Sequence, residues 1–123
     1  MTSSTFDVAA VASAPTVRRW FTSARYDGDP DEEKQARYQL LADFCSHIDQ
    51  SPDELVESLI RTTKKGDLAI SSKRRTVVDA SINEFVEKAG YTGRDAVVNG
   101  NTLRSFLVHN GIFIQGRAWT GRS

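Results

Sequence analysis

Three side chains of the sequence could take part in nucleophilic or acid–base catalysis: Cys45, His47 and His109. A catalytic thiol needs a neighbouring base that activates it. Cys45 lies on the apolar stripe of a predicted helix, which indicates a buried thiol, and His47 faces another direction of that helix. His109 lies at a predicted helix C-terminus, where histidine commonly interacts with the helix dipole. These positions predict no enzyme active site.

Patterns typical of metal, nucleotide or disulfide sites do not occur. One cysteine and two histidines are too few for an internal disulfide or a zinc site. The acidic run at 27–33 lacks the alternation of a calcium loop and has no glutamate at its twelfth position. No glycine-rich phosphate-binding motif is found either. We therefore expect no cofactor, no metal and no small-molecule substrate.

The distribution of charge is more informative than its total. The chain has 16 basic and 16 acidic residues, but residues 1–57 hold 5 basic and 11 acidic residues, whereas residues 58–123 hold 11 and 5. The positive half could present one face to phosphates. Alternatively, the two halves interleave in space and their charges cancel.

A run of three cations, KRR at 73–75, lies at the start of a predicted helix. Cations are unfavourable to the helix dipole there, whereas a phosphate would bind both the cations and the free helix amides. Lys64 and Lys65 in the preceding loop could join the same patch. The alternative is a solvated, charged turn.

A second group of candidates lies on the last predicted helix, where Arg94, Asn101 and Arg104 share a face. Arginine and asparagine bind guanine and adenine edges bidentately in the major groove of DNA. The alternative is an ordinary surface face that carries two arginines and an asparagine.

The elements that position these residues are predicted to be helices. Helical periodicity and terminal signals predict four or five helices, short loops and no strand, which is an all-α bundle. The predicted features are a short helix after Pro15, a helix from 31–33 to about Ile48, a capping box at Ser51 and Glu54 opening a helix that ends near Arg61, a loop over 62–72, a helix from Ser71 or Ser72 to Gly90, and a helix from Thr92 to Gly111. We favour a continuous last helix over a break at Asn99–Gly100.

The predicted organisation has three parts. Residues 1–29 form an N-terminal arm with a short amphipathic helix, 30–114 form the helical domain, and 115–123 form a tail or the start of a linker. No apolar run approaches the roughly 20 residues of a membrane span, and the N-terminus lacks the basic start of a signal peptide. Cytoplasmic localisation is therefore expected.

Two segments carry a resemblance to a known family. The stretch "ARYQLLADFCSHIDQSPDELVESLI" has Tyr38, Leu41 and Phe44 in the pattern of an opening helix, and "INEFVEKAGYT" precedes "NTLRSFLVHNGIFI". Their order resembles the N-terminal core-binding (SAM-like) domain of tyrosine recombinases, the phage-integrase and Xer-type enzymes. The resemblance covers roughly residues 31–114.

The resemblance implies a SAM-like all-α domain that binds double-stranded DNA sequence-specifically. In the family this domain forms half of a clamp, while a separate domain, which is expected to be absent from this chain, carries the catalytic set. It therefore implies a chain that is not itself an enzyme, self-association on DNA, and action at the nucleoid or in a host cytoplasm if the protein is phage-encoded. On the residues above, phosphate contacts are expected from Lys34, Arg37, Lys64, Lys65, Lys73, Arg74, Arg75 and Arg117, and base contacts from Arg94, Asn101 and Arg104.

Two other functions fit the same sequence. The chain could be a free-standing phage or mobile-element regulator, such as a repressor, with a helix-turn-helix formed by the helices near 73–89 and 93–110. It could instead be a helical protein-interaction module. In that case Trp20, Phe21 and Trp119 would dock a partner, whereas their alternative role is to pack the arm and tail onto the bundle.

Overall fold

Helices dominate the part of the chain that the computed structural model describes, residues 6–114. The elements in chain order are α1 Val8–Ser13, α2 Pro15–Ser23, α3 Asp31–Ile48, α4 Pro52–Ser58, β1 Ile60–Thr62, β2 Leu68–Ile70, α5 Ser72–Lys88 and α6 Gly93–Val108. The predicted all-α bundle is therefore confirmed, while a SAM-like arrangement of its helices stays a prediction.

Side-chain caps fix the start of α4 and α5. The Ser51 hydroxyl accepts a hydrogen bond from the Glu54 amide at 3.1 Å, and the Glu54 carboxylate accepts one from the Ser51 amide at 2.8 Å. This reciprocal pair is the predicted capping box, with Pro52 at the first helical position of α4. Ser71 caps α5 in the same way by accepting from the Arg74 amide at 3.2 Å.

Residues with positive φ follow α3, α5 and α6. Asp49 has φ 57° after α3, Gly90 has φ 86° after α5, and Gly111 has φ 87° after α6. A left-handed residue lets the chain leave the helix axis while its amides still bond the last carbonyls. Between these ends α6 continues without a break through Gly100, as favoured from the sequence.

Trp20 occupies the centre of the core and changes the interpretation of the N-terminal arm. Its ring makes edge-on contacts with Phe21, Tyr26 and Phe106 at centroid distances of 5.3, 5.7 and 5.5 Å. Its indole NH donates to the Ser105 hydroxyl at 3.2 Å. The helix α2, which lies within residues 1–29, is therefore integral to the core. The packing role of Trp20 and Phe21 is confirmed, whereas Trp119 lies outside the described residues.

A β-hairpin replaces the predicted loop at 62–72. β1 pairs antiparallel with β2, with Ile60 opposite Ile70 and Thr62 opposite Leu68. α4 accordingly ends at Ser58 instead of near Arg61. The expectation of no strand is therefore wrong, because strands of three residues are too short to produce a recognisable alternation.

α5 and α6 lie side by side in opposite directions. A Cβ added at Gly100 of α6 would contact Ile82 and Val86 of α5 at 3.7 and 3.8 Å, and Arg104 bonds Asp79 one turn further along. These contacts lie between Asp79 and Val86 of α5, about two helical turns. The helix-turn-helix considered for these two helices stays a prediction.

Candidate nucleic-acid interface

The hairpin presents two lysines at its tip. The tip is closed by hydrogen bonds from the Thr63 amide to the Asp67 carbonyl at 2.7 Å and from the Gly66 amide to the Thr63 carbonyl at 2.9 Å. Gly66 has φ 89°, a conformation that favours glycine. The turn leaves Lys64 and Lys65 exposed at the furthest point of the hairpin from the core.

The backbone ties the base of the hairpin to the start of α5. The Ser71 amide donates to the Leu59 carbonyl at 2.8 Å, just beyond the pairing of Ile60 with Ile70. Ser71 also caps α5, so the cations of the first helical turn begin where the hairpin ends. A three-residue strand spans only about 10 Å, so the tip lysines and the helix cations form one continuous region.

We call this region the basic hairpin surface and define it by the cations of residues 61–75. That stretch contains six basic residues and one carboxylate, Asp67. The members of the surface are Arg61, Lys64, Lys65, Lys73, Arg74 and Arg75. Five of the eleven residues predicted to bind DNA are thereby brought together.

Arg61 belongs to this surface but was not predicted from the sequence. It lies on β1, is exposed, and pairs with Ala69 of β2. The signal that could have revealed it is the pair of short runs Ile60–Thr62 and Leu68–Ile70, each with apolar or β-branched residues, which flank a turn containing Gly66.

Two arginines of the basic hairpin surface, Arg74 and Arg75, are half-buried. Arg75 donates from Nη1 to the Phe113 carbonyl at 3.1 Å, which holds the segment after α6 against α5. Arg74 lines a cleft with Ile48, Asp49 and Gln50 at the C-terminal end of α3. Arginine has five donors, so the Arg75 bond leaves donors for an anion.

Lys34 and Arg37 lie at the other end of α3, away from the basic hairpin surface. α3 has 18 residues, which corresponds to a length of about 27 Å. Arg37 donates to the Asp29 carboxylate at 2.8 Å and stacks its guanidinium over the Tyr26 ring at 3.7 Å. The ion pair and the stacking both engage its guanidinium, and its expected role as a phosphate contact stays a prediction.

Arg94 is likewise separated from the surface. It is exposed in the first turn of α6, and the antiparallel packing places that turn beside the C-terminal end of α5. The cations of 73–75 are at the opposite end of α5, about 25 Å away along its 17 residues.

Arg104 is buried, so the prediction that it lies on an outer face for base contacts is wrong. It is only 2% exposed. Its guanidinium donates to Asp79 at 2.8 Å, to Asn83 at 2.8 Å and to Asn101 at 3.3 Å. The face that it shares with Asn101 is covered by α5, and a buried guanidinium must be paired and hydrogen-bonded in this way. Arg117 lies outside the described residues.

The three side chains considered for catalysis, Cys45, His47 and His109, are buried or hydrogen-bonded within the fold. Burial, and to a smaller extent the carboxylate of Glu54, raises the pKa of the Cys45 thiol to about 12. His47 contacts Glu84 at 3.1 Å, and Nδ1 of His109 lies 2.6 Å from the Ser23 hydroxyl. Among residues 6–114, no carboxylate bonds the other ring nitrogen of His109, so the orienting group of a catalytic triad is not seen there.

Neither a membrane helix nor a metal site is found within residues 6–114. No helix in this range is long and apolar enough to cross a membrane. No group of three or more His, Cys, Asp or Glu side chains in the range is arranged to hold a metal ion.

The chain matches no protein-family model, no curated protein and no solved structure.

Proposed function

We propose that the protein is a sequence-specific binding domain for double-stranded DNA, of the tyrosine-recombinase core-binding type and without catalysis of its own. The observation that carries the proposal is the basic hairpin surface: residues 61–75 hold six cations and one carboxylate, and Arg61, Lys64, Lys65 and Lys73 are exposed. In this proposal it acts in the cytoplasm, at the nucleoid or on phage DNA in a host cell.

The dimensions of the hairpin suit a groove of DNA. Neighbouring strands lie about 4.8 Å apart, and the major groove, about 12 Å wide, admits a two-stranded ribbon. All three residues of β1 and Leu68 of β2 are exposed, so the ribbon can enter without unfolding. In this arrangement the tip lysines contact phosphates, and Arg61 reads guanine through its bidentate donors.

The experiment removes the three cations of the hairpin itself. We expect the triple variant Arg61→Gln, Lys64→Gln, Lys65→Gln to bind a duplex about tenfold more weakly in a fluorescence-anisotropy titration near 0.1 M salt. The dependence of log affinity on log salt should also become shallower, by about 0.9 for each phosphate that the variant no longer neutralises. Hairpin side chains are exposed, so the fold should be retained, and circular dichroism checks this.

A matched control removes three cations elsewhere. Lys34, Lys88 and Arg94 are outside the basic hairpin surface, and their replacement by glutamine changes the net charge by the same amount. The control should bind like the wild type. If both variants lose the same amount of duplex affinity, the loss follows from overall charge and not from the basic hairpin surface. A wild type that does not bind DNA would refute the proposal.

A protein-interaction module is the second candidate function. Leu68 is 74% exposed and Phe113 is 70% exposed, which offers apolar side chains to a partner. This function predicts self-association or partner binding that does not weaken as salt is raised, because burial of apolar surface is not screened. Light scattering at two salt concentrations separates it from DNA binding.

A further inference from the structure

The outer face of α2 carries two adjacent arginines, Arg18 and Arg19, both exposed. They line a shallow cleft together with Pro15, Thr22 and Ser23. Guanidinium and hydroxyl groups are common donors to phosphate oxygens. The face therefore has the chemistry of a backbone contact for nucleic acid.

A short chain segment links this face to the basic hairpin surface. Arg19 donates from Nη1 to the Asn110 side-chain oxygen at 3.3 Å, and Asn110 is itself fixed by donating to the Thr16 carbonyl at 3.0 Å. Three residues later, the Phe113 carbonyl accepts from Arg75 at 3.1 Å. Three residues span at most about 11 Å, so Arg19 and Arg75 are anchored close together at the C-terminal end of α6.

Two carboxylates, Asp53 and Asp27, lie beside the face, and both accept hydrogen bonds from residues of α2. Asp53 accepts from the amide and the hydroxyl of Thr16 at 3.2 and 2.5 Å, and Asp27 accepts from the Thr22 hydroxyl at 3.2 Å. These bonds satisfy part of each carboxylate with neutral donors of α2. Arg18 and Arg19 make no ion pair with either group, so their charge is available to an anion.

We propose that the outer face of α2 is a second contact with the DNA backbone, used together with the basic hairpin surface. The inference rests on the proposed DNA binding and adds residues that the sequence did not assign. A duplex carries one phosphate charge per about 1.7 Å of its axis. A single duplex can therefore meet cations at both places, with the segment after α6 lying between them.

The test is the double variant Arg18→Gln, Arg19→Gln in the same anisotropy titration. We expect duplex affinity to fall about three- to tenfold and the salt dependence to become shallower by roughly 1 to 2, one phosphate for each cation. The matched control is Arg25→Gln with Lys88→Gln, which removes two exposed cations outside both surfaces and should bind like the wild type. Because Arg19 bonds Asn110, Arg18→Glu is tested alone as a variant that leaves this bond in place.

The outcomes separate this inference from the proposed function. If the wild type binds DNA and the hairpin variant weakens it, unchanged binding by the folded double variant and by Arg18→Glu overturns the inference alone. If the wild type does not bind the duplex at all, the proposed function fails first. Weaker binding by both α2 variants, with unaltered thermal melting, supports the second contact.

Discussion

The guanidinium of Arg104 satisfies its donors with three side chains, of which Asp79 and Asn83 lie four residues apart on α5. Residues at this spacing share one face of a helix. The continuous helix that carries Arg104 was predicted correctly from the sequence, whereas the outward position of Arg104 was not. A charged residue inside an apolar pattern is either exposed to solvent or buried against groups that pair with it. Asp79 and Asn83 on α5 were the signal in the sequence for the buried arrangement of Arg104.

Cys45 provides a prediction at the same scale. Its thiol has a pKa raised from 9.0 to about 12 by burial and by Glu54, so between these values the folded protein holds a proton that the unfolded chain has lost. The free energy of unfolding should therefore fall as pH rises above about 9, by up to about 1.4 kcal/mol per pH unit from this group. Below pH 9 both states are protonated and the group has no effect.

The measurement compares urea unfolding of the wild type and Cys45→Ala between pH 8 and 10.5. Burial also raises the pKa of Tyr38, with a smaller effect of Asp27, but that residue is common to both proteins and cancels in the difference. The two stability curves should converge as pH rises. Parallel curves would show that the thiol ionises at an ordinary pH in the folded protein.

At the scale of elements, the hydrogen-bonded Arg104 side chain leaves little room for a side chain at position 100 of α6. A Cβ at this position would lie 3.0 Å from Arg104 Nη1, and that side chain is held by its three hydrogen bonds. Glycine inside a helix costs about 1 kcal/mol relative to alanine. The cost is tolerated here because a methyl group would displace the guanidinium.

A double-mutant cycle tests this account. We expect Gly100→Ala to lower the free energy of unfolding in the wild type but to raise it, by up to about 1 kcal/mol, in an Arg104→Ala background where the obstacle is gone. Chemical unfolding of the four proteins gives the coupling. If the effect of Gly100→Ala has the same sign and size in both backgrounds, Arg104 does not set the requirement for glycine.

Most element boundaries followed from local signals in the sequence. The Ser51–Glu54 capping box, the Ser71 cap and the left-handed Gly90 and Gly111 act within a few residues, so they can be recognised without the fold. The hairpin could not be recognised by periodicity, because its pairing involves only six residues. Of the candidate site, sequence spacing identified the cations near Lys65 and Lys73. Arg61 was missed because it joins them only through the pairing of β1 with β2, and the burial of Arg104 was missed because it depends on how α5 packs on α6.

At the scale of the whole molecule, the separation of charge along the sequence becomes partly a separation in space. Acidic residues of 27–33 lie at the N-terminal end of α3, and Arg74 of the basic hairpin surface lies beside its C-terminal end. Charges of both signs are nevertheless mixed at each end, because Arg37 pairs with Asp29 and because Asp49 and Glu84 line the same cleft as Arg74. Arg18 and Arg19 depart from the sequence halves, since they come from the acidic half but lie near Arg75.

The single core extending into the N-terminal arm gives the last prediction. Trp20 is fully buried, so Trp20→Ala should lower the free energy of unfolding by about 3–5 kcal/mol in a denaturant titration. Arg18→Gln on the same helix is exposed and should change it by less than about 0.5 kcal/mol. A small effect of Trp20→Ala, below about 1 kcal/mol, would mean that the arm is peripheral to the cooperative unit.

The opposite charges at the two ends of α3 also bear on how copies of the protein meet one another. A neutral total removes the long-range repulsion that keeps many proteins apart, so a patch of one sign can attract a patch of the other sign on a second copy. In dilute salt we expect the basic hairpin surface of one copy to attract the acidic run at 27–33 of another. DNA, with its far denser charge, would then compete with this attraction for the same basic surface.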